Sequence, residues 1–391
     1  MSAAQDAVNA KSSNTECVRY ADPPMHFPLW AAIAPLLVGC APQGGLLDEE
    51  TLSGMGIVSA EAGGEATVIA ASRGSQLETI YLDSNDQAVI LSGQVNGEGD
   101  YEIFAFGPSQ AGDRWVIEQE SPSDGRMVVA LFDENMHLLA RSTKTAHSPL
   151  THTMRHECAA VFVGVGTVPG QAGGAYRYRV SRTADAEIPP PRPQLVWLDF
   201  AGVANLTIGD HEGMTFGSFD AIVLGQAYAG ATDEIKQAIV ETLRSVYADY
   251  DVTFLTSDET VEPAEPHATI HFGYDDEALL GLADNVDGYN ADSGQNAIVF
   301  VEHFAAYWTM KLDAQQMGQM IGNSASHELG HLLGLHHTNQ ADSVMDIAAG
   351  DAWDVAGERG FRVADLDPEV FPVGQLNSPR ILADTLGLRA D

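Results

Sequence analysis

The stretch HELGHLLGLHH, residues 327–337, decides more of this structure than any other part of the sequence. Residues four apart share one face of an α-helix, so a helix here would bring the imidazoles of His327 and His331 together. Glu328 would project beside them. The spacing predicts a helix over residues 314–335 that carries a pair of metal ligands and a carboxylate.

Gly334 is placed to end that helix, because glycine adopts positive φ without a steric penalty. The resulting turn would bring a third imidazole back to the first two, and either His336 or His337 could supply it. Three neutral imidazoles on Zn²⁺ leave one tetrahedral position for water, which is the arrangement of a catalytic site. The metal lowers the pKa of such a water toward about 7, and Glu328 is placed to accept its proton. This stretch therefore predicts hydrolysis.

The full spacing HExxHxxGxxH resembles the signature of the metzincin clan of zinc endopeptidases. The segment SVMD, residues 343–346, stands where that clan has its Met-turn. The resemblance selects His337 over His336 as the third ligand, and it implies that Met345 packs beneath the metal. The spacing to Met345 is similar to that of matrixins or adamalysins, whereas Thr338 fits neither, so the subfamily stays open. The implied zinc ligands are His327, His331 and His337, with Glu328 as the general base.

The same resemblance implies a substrate-binding edge strand within NAIVFVE, residues 296–302. An extended peptide can pair its backbone with such an edge. The residues implied are Asn296, Ala297, Ile298, Val299 and Phe300.

Acidic and amide side chains cluster just before that strand, and Ca²⁺ takes oxygen ligands from loops of this kind. Solvated turn residues are the alternative interpretation, since no bidentate glutamate follows at EF-hand spacing. The candidate calcium ligands are Asp284, Asp287, Asn290 and Asp292.

Residues 76–185 contain short alternating apolar and polar runs separated by turn residues, which predicts an all-β sandwich of about eight strands. The strand pattern resembles the bacterial pre-peptidase C-terminal domain, a jelly-roll-like module, and implies an accessory role in binding or secretion. A proline-rich linker, residues 186–193, follows it. Strands mixed with helices over residues 194–391 predict an α+β, zincin-like catalytic domain.

The N-terminal region is interpreted as a targeting segment. Residues 27–38 form an apolar run of twelve residues, shorter than the about 20 needed to span a membrane, so a signal peptide is expected within residues 1–40. The run ends in LVGC, which resembles a lipobox whose Cys40 is acylated. Residues 41–75 would be a flexible tether. An exported bacterial lipoprotein at the outer membrane or cell surface follows, with the start codon, Met1 or Met25, undecided.

The net charge of the chain argues against nucleic acid as a partner. The chain has 391 residues with 19 Lys+Arg against 55 Asp+Glu, a net charge of −36, and so lacks the basic surface that nucleic acid requires. Nothing in the sequence indicates an oligomer. The expected partners are a protein or peptide substrate and, through the lipid anchor, a membrane.

Together these features predict an exported zinc-dependent endopeptidase. Two alternatives remain at this stage: a non-catalytic surface adhesin with a vestigial metal site, and a zinc hydrolase of glycan or cell-wall amides. The intact Glu328 favours an enzyme, because a vestigial site has no need of the general base.

Overall fold

The computed structural model describes residues 57–390, apart from residues 63–66, 72–78, 83–86, 121–126, 144–147, 168, 171, 275–278 and 348–355. The predicted lipidation site Cys40 and the apolar run at 27–38 lie outside the described residues. No helix in the described part of the chain has the length and apolar character needed to cross a membrane.

The N-terminal half is a sandwich of two β-sheets. Its strands are β1 (Ile57–Ala62), β2 (Thr67–Ala71), β3 (Ala88–Val95), β4 (Tyr101–Phe106), β5 (Arg114–Gln119), β6 (Val128–Phe132), β7 (Leu138–Ser142), β8 (Leu150–Thr153), β9 (Val161–Gly166) and β10 (Gly174–Thr183). One sheet has the order β1-β2-β3-β10-β5-β8 and the other β4-β9-β6-β7. Successive side chains of a strand point to opposite faces of the sheet, and one face packs in the core of the sandwich. In β10, Tyr176, Tyr178 and Val180 are buried, while the residues between them are half-buried. The predicted sandwich is confirmed.

One local expectation within this half was wrong. Residues 57–62 and 67–71, predicted as part of the tether, form β1 and β2, which pair with each other and join the sheet through β3. Their alanine-rich sequence alternates too weakly to indicate strands. Ile80, before β3, contributes a single bridge to Phe106 of β4.

The C-terminal half mixes helices and strands, as predicted. Its strands are β11 (Gln194–Asp199), β12 (Val203–Ile208), β13 (His211–Phe216), β14 (Val252–Thr256), β15 (Ala268–Gly273), β16 (Gly281–Ala283), β17 (Asn296–Phe300), β18 (Val363–Asp365) and β19 (Gln375–Asn377). Its α-helices are α1 (Thr232–Val246), α2 (Ala314–Leu332) and α3 (Ser378–Leu386), and 3-10 helices cover Ala221–Leu224, Gln226–Tyr228 and Val301–Met310. The main sheet has the order β14-β11-β15-β17-β16, in which β16 alone runs antiparallel to its neighbour.

This order corrects the predicted substrate-binding strand. Residues 296–300 form β17, which lies between β15 and β16 and is therefore internal. NAIVF is apolar because a central parallel strand is covered on both faces, and four of its five residues are buried. The edge next to β17 is the three-residue strand β16, whose sequence GLA carries no strand pattern of its own.

Helix α2 begins at the predicted Ala314 and ends at Leu332, three residues before the predicted end at Leu335. Asp313 and Gln316 form a reciprocal capping box at its start. At the other end the helix stops at Leu332, and Gly334 has a φ of +92°, the left-handed conformation expected of it.

The two halves share one hydrophobic core rather than touching at a polar surface. Phe371 of the C-terminal half packs against Phe132 of the sandwich, with ring centroids 5.3 Å apart. Beside this contact, Asp133 is buried and accepts a hydrogen bond from Arg380 at 3.0 Å. The predicted proline-rich linker, residues 186–193, also contacts the C-terminal half, since the Arg192 amide donates a hydrogen bond to Thr385 O.

Candidate active site

Three imidazoles converge at the end of helix α2. The Nε2 atom of His331 lies 3.1 Å from Nε2 of His327 and 3.1 Å from Nε2 of His337. In the described part of the chain, these three residues are the group of side chains able to share one metal ion. The predicted third ligand is therefore His337, and His336 points elsewhere.

Backbone carbonyls fix the orientation of the first two rings. His327 Nδ1 lies 2.8 Å from Val344 O, and His331 Nδ1 lies 2.8 Å from Leu335 O. A carbonyl only accepts, so each Nδ1 carries the proton and each Nε2 presents a lone pair. Tetrahedral zinc with Zn–N bonds of about 2.0–2.1 Å separates its nitrogen ligands by about 3.3 Å, so the cluster fits zinc.

The predicted Met-turn packs against the helix that carries two of the imidazoles. Met345 is fully buried, and its sulfur packs against Gly330 of helix α2. Its carbonyl accepts a hydrogen bond from the Thr338 amide at 2.7 Å, which ties the turn to the residue after His337.

Glu328 is buried beside the imidazoles, and among the described residues neither of its carboxylate oxygens has a hydrogen-bond partner. Burial raises the pKa of Glu328 well above its usual range. An unpaired buried carboxylate is costly unless a cation or a hydrogen-bond donor lies next to it. This orphaned group is a second indication that the site holds a metal.

Gly281 of β16 leaves room for that carboxylate. A Cβ at this position would lie 2.4 Å from Glu328 Oε1, so any larger residue would displace the glutamate. The sequence gives no signal for this requirement, because the two residues are 47 positions apart.

The site is enclosed, and two of its histidine rings are neutral. The three histidines and Glu328 are each at most 8% exposed. Burial lowers the pKa of His327 and of His337 well below the usual histidine value, and the neighbouring imidazoles lower it further. Both rings are then neutral, the form that binds a metal.

The loop that carries the candidate calcium ligands supports helix α2 instead. The Asp287 amide donates to His331 O at 3.0 Å. Within the described residues the side chains of the loop satisfy polar groups nearby: Asp284 accepts from the Asn296 amide, Asp287 accepts from the Asp292 amide, and Asn290 donates to Gln194. Calcium binding gains no support, and the supporting role of the loop was missed in the sequence.

Residues 224–355 match the family model of the matrixins. Among solved structures, the pre-peptidase C-terminal domain of a Bacillus anthracis collagenase is 14% identical, covers 28% of this chain and 95% of its own, and has a TM-score of 0.21. A zinc-dependent peptidase from Methanocorpusculum labreanum is 12% identical, covering 42% of this chain and 93% of its own, with a TM-score of 0.26. A periplasmic lysozyme inhibitor from Aeromonas hydrophila is 11% identical, covering 27% and 97%, with a TM-score of 0.22. At these scores the structural likenesses carry no argument about function.

No curated protein matches the sequence. The histidine triad and the family match together define a zinc metallopeptidase. The residues that form the site lie within the segment that matches the matrixin model, residues 224–355.

Proposed function

We propose that this protein is an endopeptidase that hydrolyses internal peptide bonds of protein substrates, with Glu328 as the general base. The observation that carries the proposal is the buried, unpaired carboxylate of Glu328 next to three converging imidazoles. The matrixin match over residues 224–355 supports the same reaction.

Zinc held by His327, His331 and His337 supplies a Lewis acid for activating water and polarising a carbonyl. The protein positions the groups around it. The carbonyls of Val344 and Leu335 keep two rings in the tautomer that binds metal. Glu328, whose pKa is raised by burial, accepts a proton at one carboxylate oxygen and can return it to the leaving amine.

Strand β16 is the surface on which a peptide would align. The Phe300 amide donates to Leu280 O, and the Asp284 amide donates to Asn296 O, so these even-numbered residues face β17. In an antiparallel ladder the alternate residues point the other way, which directs the backbone groups of Gly281 and Ala283 to the outer edge. A substrate strand bonded to Gly281 passes next to Glu328, because the two residues are in contact.

Access requires an opening, because the residues of β16 are buried along with the metal ligands. We infer that this edge becomes accessible when a substrate binds, as active sites do in many enzymes. An enclosed site strengthens the electrostatic contribution of each polar group once the substrate is bound.

The test is cleavage of casein and of a peptide library by the zinc-loaded protein, compared with Glu328→Gln. Glutamine has nearly the same shape as glutamate but cannot accept the proton. We expect the variant to bind zinc like the wild type and to lose at least about 100-fold in kcat/KM. A variant with full activity, or a folded, zinc-loaded wild type that cleaves no peptide, would refute the proposal.

We also propose that the protein is exported and anchored by a lipid on Cys40. The support is the short apolar run before LVGC. Cys40→Ser should move the protein from the detergent phase to the aqueous phase without loss of peptidase activity. An unmodified Met1 or Met25 N-terminus on protein isolated from cells would contradict the anchor.

A further inference from the structure

A cavity of about 280 Å³ lies between the sandwich and the C-terminal half. This volume is close to the roughly 300 Å³ of the smallest ligand pockets. Strands β7 and β8 of the sandwich form one wall. The loop after β16 and the turn at Gly334 form the other, and Leu376 and Ile381 close the base.

The cavity is lined by residues close in sequence to the metal site and to β16. His336, which lines it, is the residue directly before the ligand His337. Val286, also in the lining, follows the last residue of β16 by three positions. A peptide aligned on β16 with its scissile bond next to Glu328 would therefore reach the cavity after running past Ala283.

The lining disfavours a positively charged occupant. No carboxylate occurs among the described residues that line the cavity, although the chain has 55 acidic residues. Apolar side chains contribute to both walls and to the base: Leu138, Leu139, Leu150, Val286, Leu376 and Ile381.

The lining also contains polar residues, among them the charged Arg141 and the buried His152. The Arg141 guanidinium donates to the carbonyls of Val370 and Glu369, so it holds the wall of the cavity together. His152 is buried, and burial, followed by the charges of Arg155 and Arg380, lowers its pKa to about 4, so its ring is neutral near pH 7.

We propose that this cavity is a substrate subsite that takes a large apolar or aromatic side chain on the N-terminal side of the scissile bond. The inference rests on the proposed endopeptidase function and makes the sandwich part of the specificity of the enzyme. It follows that β7 and β8 contact the substrate directly.

The direction of the substrate strand defines on which side of the scissile bond the cavity lies. Antiparallel pairs outnumber parallel ones, and an antiparallel substrate runs opposite to β16, so its N-terminal part passes Ala283. A strand rises about 3.3 Å per residue, so peptides varied at several positions before the scissile bond are needed to find the one that the cavity serves. A lysine or arginine there would meet no counter-charge in the lining.

The test uses Thr151, an exposed residue of β8 at the cavity, and Thr253, an exposed residue of β14 at the far edge of the main sheet, as its matched control. Wild type, Thr151→Trp and Thr253→Trp are profiled with peptides varied at the four positions before the scissile bond. We expect wild type and Thr253→Trp to prefer Phe or Leu over Ala and Lys at one position by about 10-fold or more. Thr151→Trp should lose this preference.

A second pair tests the charge argument. Thr151→Glu places a carboxylate at the cavity and should raise kcat/KM for Lys or Arg at the same position, whereas Thr253→Glu should not. The same order should appear in peptide affinities measured with Glu328→Gln, which binds without turnover.

The outcomes separate the two proposals. If the wild type cleaves peptides but both Thr151 variants keep its profile, the subsite is refuted and the endopeptidase function stands. If the zinc-loaded wild type cleaves nothing, the endopeptidase function is refuted, and the subsite with it. An active wild type that prefers Lys or Asp at every position tested would also refute the subsite.

Discussion

His336 and His337 are adjacent and chemically identical, yet they have different environments. Nε2 of His337 lies 3.1 Å from Nε2 of the ligand His331. His336 is half-buried and lines the cavity between the domains. The positive φ of Gly334 turns the chain so that one ring meets the metal site and the other faces away.

His337→Ala should lower zinc affinity by more than about 100-fold, because removing a direct ligand costs at least as much as removing one of its supporting hydrogen bonds. His336→Ala is the matched control and should retain zinc. The measurement is zinc content after dialysis against a graded chelator series. Equal loss in both variants would contradict the assignment of the third ligand.

The site could be predicted from sequence to the extent that it is local. His327, Glu328, His331, His337 and Met345 lie within 19 residues, and helical spacing places the first three without tertiary information. Gly281 could not be found this way. Its role depends on a contact with Glu328 that exists only after the sheet has formed.

At the scale of elements, the sequence predicts strands better than their order. NAIVF was recognised as a strand but wrongly placed at the edge, because an apolar run does not say which neighbours cover it. GLA is too short to show a period. The alanine-rich β1 and β2 were missed for a similar reason, since their pairing with each other and with β3 is not visible in the chain alone.

The correction to β16 makes a specific prediction. Proline has no amide hydrogen, and Ala283 directs its amide to the outer edge, so Ala283→Pro should remove a donor to the substrate while leaving the ladder to β17 in place. We expect KM to rise about 10-fold, as for one lost hydrogen bond, with little change in thermal stability.

Ala283→Val is the control, since it adds bulk but keeps the amide. If Val and Pro raise KM equally, crowding rather than the lost donor is the cause. Unchanged KM in both variants would place the substrate on another surface.

At the scale of the whole molecule, the sandwich and the C-terminal half are bound by a common core. The module was expected to be accessory, with a stiff spacer between the domains. Interdomain packing of this kind depends on residues 230 or more positions apart, such as Phe132 and Phe371, and no local pattern indicates it. The fold class of each half could be predicted from the sequence, but the packing of the two halves against each other could not.

Phe371→Ala should therefore destabilise both halves at once. The ring is fully buried between them, and Phe→Ala substitutions in cores cost about 3–5 kcal/mol. We expect a single unfolding transition at lower temperature by calorimetry. Two resolved transitions in the wild type, or a loss confined to one half, would show that the halves unfold independently.

Acid should weaken the same interface through His152, whose ring lies against Tyr289 of the C-terminal half. Burial lowers its folded pKa to about 4, whereas the unfolded imidazole titrates near 6.5. The unfolded chain thus binds more protons between these values, and stability falls as pH drops from about 6.5 to 4 by about 3 kcal/mol. Below pH 4 this contribution is fully lost.

His152→Phe keeps a ring against Tyr289 and has no proton to bind. Denaturant unfolding at several pH values should give a shallower loss of stability between pH 6.5 and 4 than in the wild type. Parallel curves for the two proteins would show that His152 is charged in the folded state.

Strand β16 is only three residues long, which affects the release of cleaved fragments and the tendency of the protein to aggregate. Three residues span about 10 Å, so a bound chain gains few backbone hydrogen bonds from this edge. If substrates align on β16 as proposed, we expect cleaved fragments to dissociate quickly from so short an edge. A long, flat edge strand could also pair with strands of other copies of the protein and promote aggregation. A strand of three residues offers few backbone groups for such pairing.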